Sequence, residues 1–154
     1  MEPQSETERP ARLAGLKVLV VDDSKTIRRT AETLLAREGC EVFTAVDGFD
    51  ALSKVADHRP DIIFVDIMMP RLDGYQACSL IKRSKAFRGI PVIMLSSKDG
   101  LFDRARGRIV GSEHYLTKPF TRDELLSAIE QHVPAPALPA LTHLDTQSIP
   151  VPQG

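Results

Sequence analysis

Acidic side chains stand where two strand-like segments end. Asp22 and Asp23 follow the apolar run Lys17–Val21, and Asp66 follows the run Ile62–Val65. The carboxyl ends of parallel strands meet at one edge of a sheet, so we expect these carboxylates to converge. Like charges in a partly desolvated cleft raise the pKa of one group, and a hard divalent cation relieves the repulsion. Because the candidate ligands are oxygen atoms, the pattern predicts Mg²⁺; alternatively, Asp22 and Asp23 only open a loop or cap a helix.

A hydroxyl and an ammonium follow two later segments. Ser96 and Ser97 come after the apolar run Val92–Leu95, and Lys118 comes after the weaker run His114–Leu116. A serine supplies one hydroxyl donor and a lysine supplies a point charge, so both can approach an anion held at the carboxylates. Taken singly, each has another explanation, because a serine also caps helices and a lysine is also found solvated.

Strand-like and helix-like segments alternate between these groups. The strand-like runs are Lys17–Val21, Glu41–Ala45, Ile62–Val65, Val92–Leu95 and His114–Leu116. Three of the runs lack in/out alternation, which is typical of strands buried on both faces of a parallel sheet. Between the runs, apolar residues recur at spacings of three and four, as Leu101, Phe102, Ala105 and Ile109 do in the fourth segment. The pattern predicts an α/β fold, a doubly wound five-stranded parallel sheet flanked by five helices.

The two ends of the chain differ from this middle. Residues 1–15 are polar and lack periodicity, which predicts a flexible N-terminal arm. Residues 134–154 include five prolines and one acidic residue, which predicts a disordered Pro-rich tail. The predicted folded unit is residues 16–133, a size that fits one domain.

Composition excludes several classes of protein. The formal net charge of −1 removes the electrostatic attraction that drives most nucleic-acid binding. The apolar runs are far shorter than the ~20 residues that span a bilayer, and the first residues lack the apolar core of a signal peptide. We therefore expect a cytoplasmic protein with no nucleic-acid partner and no membrane insertion, in which Cys40 and Cys78 are reduced.

Four segments together resemble the receiver domains of two-component response regulators. They are VLVVDDS at Val18–Ser24, FVDIMMPRLDG at Phe64–Gly74, PVIMLSS at Pro91–Ser97 and YLTKPF at Tyr115–Phe120. The resemblance implies a flavodoxin-like, CheY-like receiver over residues 16–133. DDSKTIRRTAETLL, DGFDAL, IIFVDIMMPRLDGYQAC, PVIMLSSKDGLFD and GRIVGS are also similar to PilG-type regulators of type IV pilus chemosensory systems. That similarity implies control of twitching motility, with another motility output as the alternative.

The resemblance implies a role for each acidic group. Asp66 would be the phosphoacceptor, receiving a phosphoryl group from a CheA-like histidine kinase. Asp23, Asp66 and the backbone carbonyl of Met68 would ligate Mg²⁺, and Asp22 would contact the ion through water or as a further acidic ligand.

The resemblance also implies a switch. Ser96 and Lys118 would contact the phosphoryl oxygens, and the peptide bond before Pro119 would be cis. Tyr115 would be the switch aromatic, turning inward when Ser96 moves. A downstream protein would then read the face made by the fourth helix, the fifth strand and the fifth helix.

Three other classes compete with a phosphoacceptor signalling protein. A phosphatase of the haloacid-dehalogenase type needs a second Asp two residues after the nucleophile, where this chain has Met68. A DNA-binding regulator needs an output domain, for which the residues after Val133 are too few, so we expect a stand-alone regulator that is not an enzyme. A phosphorylation-independent scaffold remains an alternative class.

Three arginines, Arg104, Arg106 and Arg108, alternate along the fourth helix-like segment. They form either a solvated basic face or a docking site for an acidic partner.

Overall fold

A parallel sheet forms the centre of the chain in the computed structural model, which describes residues 13–97 and 101–133. Its strands are β1 (Lys17–Val21), β2 (Glu41–Ala45), β3 (Ile62–Asp66), β4 (Val92–Ser96) and β5 (His114–Thr117). The strands are all parallel, in the order β2-β1-β3-β4-β5. The predicted doubly wound five-stranded fold is confirmed. Strands β3, β4 and β5 each run one residue further than predicted, so that Asp66 and Ser96 lie within strands.

Five helices among the described residues cover the two faces of the sheet. They are α1 (Lys25–Ala36), α2 (Gly48–His58), α3 (Gly74–Arg83), α4 (Leu101–Ile109) and α5 (Arg122–His132). The buried residues of α1 and α5 pack into one apolar cluster, and those of α2 and α3 pack into a second cluster on the opposite face.

Strand β1 shows why the central runs read as continuously apolar. Val18 and Val20 lie in the cluster under α1 and α5, whereas Leu19 and Val21 lie in the cluster under α2 and α3. All four side chains are fully buried. Each side of the strand therefore faces a helix layer, and none of these four positions is polar.

Side-chain caps mark the first turns of two helices that follow strand ends. Ser24 caps α1, because its hydroxyl accepts a hydrogen bond from the Ile27 N–H at 3.3 Å. Thr121 caps α5 and forms a reciprocal capping box with Glu124, at 3.1 and 2.8 Å. In both caps, a side-chain oxygen accepts a hydrogen bond from a backbone N–H that has no partner within the helix.

The structure corrects two predictions made from the sequence. The predicted boundary at residue 16 comes three residues late, because Leu13 is buried in the first cluster and its N–H donates to the Glu38 carbonyl at 3.3 Å. The predicted apolar stripe of α4 is wrong at Ala105 and Ile109, which are exposed, since α4 turns Gly107 toward Met94 of the sheet. The predicted tail at 134–154 and the first twelve residues of the predicted arm lie outside the described residues.

Candidate functional site

Three carboxylates converge at the carboxyl edge of the sheet. Strands β1 and β3 are neighbours with Val21 opposite Val65, so Asp22 and Asp66 leave the sheet side by side. Oxygen atoms of Asp22, Asp23 and Asp66 all lie within 4.8 Å of one another. Asp22 is fully buried, Asp66 is 4% exposed and Asp23 faces solvent. The predicted grouping is therefore present, with one carboxylate open to approach.

The ammonium of Lys118 bridges the two buried carboxylates. Its Nζ lies 3.0 Å from Oδ2 of Asp22 and 3.2 Å from Oδ1 of Asp66. The backbone N–H of Lys118 donates to the Ser96 carbonyl at 2.6 Å, which ties the end of β5 to β4. The peptide bond between Lys118 and Pro119 is cis, as the resemblance implied.

Burial and like charge act together on Asp66. Desolvation, followed by the neighbouring charge of Asp22, raises the pKa of Asp66 to about 6, although Lys118 opposes the shift. For Lys118, burial alone would lower the pKa, but its contacts with Asp22 and Asp66 outweigh burial and raise it. The site therefore holds a permanent cation between carboxylates that repel each other.

Backbone and side-chain donors hold Asp22 in place. Its Oδ1 accepts from the Ser24 N–H at 2.9 Å, and its backbone carbonyl accepts from the Arg28 guanidinium at 2.8 Å. Arg28 is not among the site residues predicted from the sequence. The one available signal was its position four residues after the Ser24 cap, which places it on the first turn of α1 beside the acidic pair.

A close approach between β3 and α3 shapes the loop after Asp66. The Gly74 N–H donates to the Ile67 carbonyl at 3.0 Å, and a Cβ placed on Gly74 would lie 2.3 Å from the Asp66 carbonyl oxygen. The Met68 N–H donates to Oδ1 of Asp66 at 3.3 Å, while the Met68 side chain is 75% exposed. The loop thus bends back over the strand end and brings the backbone of Met68 to the carboxylate.

The hydroxyl and the aromatic residue lie on β4 and β5. Ser96 is 4% exposed and pairs with Thr117 across the strands, whereas Ser97 is exposed beyond the end of β4. Tyr115 is half-buried against the cluster under α2 and α3. The Arg104 guanidinium lies over the Tyr115 ring, 5.1 Å from its centroid. Every site residue predicted from the sequence therefore lies at this edge of the sheet or, for Tyr115, on the adjoining strand.

The donor set suits a hard divalent cation. Three carboxylates gather within 4.8 Å and supply only oxygen ligands, the kind that Mg²⁺ prefers to nitrogen or sulfur. The exposed carboxylate of Asp23 leaves one side of the cluster open. The residues present therefore fit Mg²⁺ better than they fit a softer metal.

A family comparison agrees with this fold and site. Residues 18–130 match the family model described as the response regulator receiver domain. The chain belongs to the response regulator receiver family, whose members are signalling proteins phosphorylated by histidine kinases.

One relative and two solved structures are similar to this chain over most of their length. The chain is 74% identical to Protein PilG of Pseudomonas aeruginosa over 121 residues, which cover 79% of this chain and 90% of PilG. Among solved structures, Vibrio cholerae chemotaxis protein CheY4 superposes with a TM-score of 0.74 at 33% identity, covering 78% of this chain and all of CheY4. The receiver domain of sensor histidine kinase PA1611 from P. aeruginosa, described with a magnesium ion coordinated in its active-site cleft, gives a TM-score of 0.72 at 32% identity. That match covers 77% of this chain and 98% of the PA1611 domain.

Among the described residues, no helix has the length and apolar character needed to cross a bilayer.

Proposed function

We propose that Asp66 accepts a phosphoryl group and that the resulting charge change is read by another protein. One observation carries this proposal: the buried Asp66 carboxylate lies beside a second buried carboxylate, Asp22, with Lys118 bridging both. A purely structural role would not require a buried like-charge pair, because such a pair destabilises the fold. A nucleophile that must receive an anionic group does require a fixed cation beside it.

The chain's residues would act in the transfer by position and charge. An Asp66 carboxylate oxygen forms the new O–P bond while the P–N bond of the donor phosphohistidine breaks, and the electron pair of that bond returns to the imidazole ring. Lys118 stabilises charge on the phosphoryl oxygens, and the Ser96 hydroxyl donates to one of them. Transfer of this kind needs positioning and charge neutralisation more than covalent help from the protein.

Asp22, Asp23, Asp66 and the backbone carbonyl of Met68 would hold Mg²⁺ at this edge. When bound, the ion supplies positive charge that offsets both the clustered carboxylates and the incoming phosphoryl group. The three carboxylates support this assignment by their spacing, and the loop supports it by bringing the Met68 backbone to Asp66.

A switch would connect the site to the surface. After transfer, Ser96 moves toward a phosphoryl oxygen and Tyr115 turns into the space that it leaves. Arg104 rests on the Tyr115 ring, so α4 follows the ring when it turns. A downstream protein would then read the face of α4, β5 and α5.

The biological output we propose is type IV pilus twitching motility, driven by a CheA-like histidine kinase in the cytoplasm. Identity of 74% to PilG over most of that protein supports this output. The similarity to the chemotaxis protein CheY4 makes another motility output the alternative. The protein would signal through contacts and carry out no chemistry beyond its own phosphorylation and dephosphorylation.

Intact-mass measurement tests the phosphoacceptor assignment. The protein is incubated with acetyl phosphate and Mg²⁺ in three forms: the natural chain, Asp66→Asn, and the control Asp57→Asn, which changes an exposed residue of α2. We expect one added phosphoryl group on the natural chain and on the control, and none on Asp66→Asn. No added phosphoryl group on the natural chain would instead favour a phosphorylation-independent scaffold.

A genetic complementation separates the output from the chemistry. In P. aeruginosa lacking PilG, we expect this chain to restore twitching and Asp66→Asn to fail at equal protein level. Twitching that stays absent, together with normal phosphorylation in vitro, would favour another motility output.

A further inference from the structure

An open groove lies between α3 and the end of α4, away from the carboxylate cluster. Its volume is about 390 Å³. The residues that line it include Tyr75, Leu80, Arg83, Arg106 and Val110. A volume of this size accepts a few side chains of a partner and lies within the range of specific binding pockets.

The groove is distinct from the α4–β5–α5 face. Two arginines on α4 diverge: Arg104 lies over Tyr115 of β5, and Arg106 lies over Tyr75 of α3, 4.4 Å from the ring centroid. Helix α4 therefore separates two surfaces, and only the second includes the groove.

Apolar side chains line part of the groove. Tyr75 is 5% exposed, and Leu80 is 42% exposed on the outer face of α3, where Gln76 and Arg83 are exposed as well. Ile109, almost one turn after Arg106 on α4, is 82% exposed. Large apolar groups left open beside a groove are typical of protein-binding sites.

The shape of the groove favours a helix as its occupant. Gln76, Ser79, Leu80 and Arg83 line one wall at spacings of i, i+3, i+4 and i+7, which is one face of α3 over about 10 Å. A partner helix that follows this wall would present anchors at the same spacings, as helices do in helix-in-groove recognition.

The charge of the groove favours an acidic partner. Arg83 and Arg106 line it, and none of the described side chains that line it is an Asp or a Glu. Among the side chains that the structure describes, those of 13–97 and 104–133, no salt bridge joins either arginine to a carboxylate. An uncharged partner would desolvate both guanidinium groups without compensation, whereas carboxylates would pair with them. A second copy of this chain on a two-fold axis would instead bring arginines against arginines.

We propose that this groove docks an amphipathic helix of a partner protein, with apolar residues packing on Leu80 and Val110 and carboxylates pairing with Arg83 and Arg106. The docking site goes beyond the proposed function, because it does not depend on Asp66. A regulator would thereby carry a second surface for a partner, next to its α4–β5–α5 face.

The test uses a synthetic helix of about 18 residues, longer than the ~12–15 below which isolated helices are marginal. Leucines occupy i, i+3, i+4 and i+7, and glutamates flank them. The first control peptide has Gln in place of every Glu. The second keeps the composition and distributes the leucines around the helix. Binding to the full chain is followed by fluorescence anisotropy, and the contact surface is mapped by amide chemical shifts.

Variants of the chain distinguish ion pairing at Arg83 and Arg106 from a general effect of positive charge on the affinity for the peptide. We expect Arg83→Gln, which leaves the Arg106–Tyr75 contact intact, to weaken binding about fivefold, and the double variant with Arg106→Gln to weaken it more. Arg108→Gln, the same charge change on an exposed position of α4 outside the groove, should alter binding by less than about twofold. We expect the largest shifts at the groove residues and weaker binding of both control peptides.

Four results of the binding experiments would overturn the proposal. They are no binding of the glutamate peptide, equal binding of the glutamine peptide, an equal loss in Arg108→Gln, and shifts confined to the α4–β5–α5 face. A concentration-dependent dimer that Arg83→Gln abolishes in sedimentation would assign the groove to a second copy and would also overturn it.

Discussion

Lys118 and Asp66 form an ion pair across the sheet edge, 3.2 Å apart, although 52 positions separate them in the chain. The same ammonium lies 3.0 Å from Asp22, so one cation is shared between two buried carboxylates. Burial, followed by the charge of Asp22, raises the pKa of Asp66 to about 6, and the shared ammonium of Lys118 opposes that shift only in part. The site therefore keeps like charges buried at the expense of the stability of the free protein.

The first prediction concerns stability without metal. The pKa of Asp66 is raised in the folded state, so its contribution to stability is present below about pH 4 and is lost as the pH rises through about 6. We expect Asp66→Asn, which avoids this loss, to increase the free energy of unfolding by about 1–3 kcal/mol at about pH 7.5 in EDTA. Urea unfolding measures the difference.

The control is the same comparison of unfolding free energies at lower pH. At about pH 4.5 the gain should shrink to less than about half, because Asp66 is then still mostly protonated in the folded state and is ionised only in the unfolded chain. Asp57→Asn on the surface of α2 should show no comparable gain at either pH. A gain that is the same at both pH values would mean that burial of charge is not its cause.

The second prediction compares two glycines. A Cβ on Gly74 would meet the Asp66 carbonyl oxygen at 2.3 Å and the Ile67 Cα at 2.9 Å, both backbone atoms that cannot turn away. We expect Gly74→Ala to lower the free energy of unfolding by about 1–3 kcal/mol and to slow phosphorylation. Gly89→Ala, with no atom within 4 Å, should stay within about 0.5 kcal/mol of the natural chain. Equal effects of the two changes would contradict the close approach.

The third prediction concerns two adjacent serines. Ser96 is buried at the end of β4, and Ser97 is exposed. If the Ser96 hydroxyl donates to a charged phosphoryl oxygen, Ser96→Ala should slow phosphorylation by acetyl phosphate about tenfold. Ser97→Ala should leave the rate within about twofold of the natural chain. Rate constants come from intact mass against time, and the opposite ranking would exclude Ser96 from the site.

The fourth prediction concerns the Tyr115 ring. The chain has two tyrosines, so protein labelled with 3-fluorotyrosine gives one ¹⁹F signal for Tyr115 and one for Tyr75. Removing the Arg104 contact with Arg104→Gln should raise the population of the inward ring about two- to fivefold before phosphorylation. Arg108→Gln should leave the Tyr115 signal unchanged. Movement of the Tyr75 signal alone would contradict the coupling.

Much of the fold and site could be predicted from the sequence, because it depends on local pattern. The end of β1 follows from an apolar run that stops at the polar residues Asp22 and Asp23. The convergence of Asp22 with Asp66 follows from a general property of parallel sheets, whose strand ends share one edge.

Other features depend on packing between distant elements and left no local signal. The exposure of Ile109 results from the rotation of α4, which turns Gly107 inward against Met94. The contact of Arg106 with Tyr75 joins two helices, and three alternating arginines do not indicate which neighbour each will meet. Leu13 packs under α1 because the chain before β1 folds back on Glu38, a contact that residues 1–15 do not predict.

The most direct test is to locate the phosphoryl group. Borohydride reduces an aspartyl phosphate to homoserine, which marks the modified residue permanently, and peptide mass spectrometry then identifies its position. After phosphorylation with acetyl phosphate and Mg²⁺, we predict homoserine at position 66 and at no other aspartate, and none when the donor is omitted. Homoserine at position 22 or 23, or its absence from the natural chain, would contradict the assignment of Asp66.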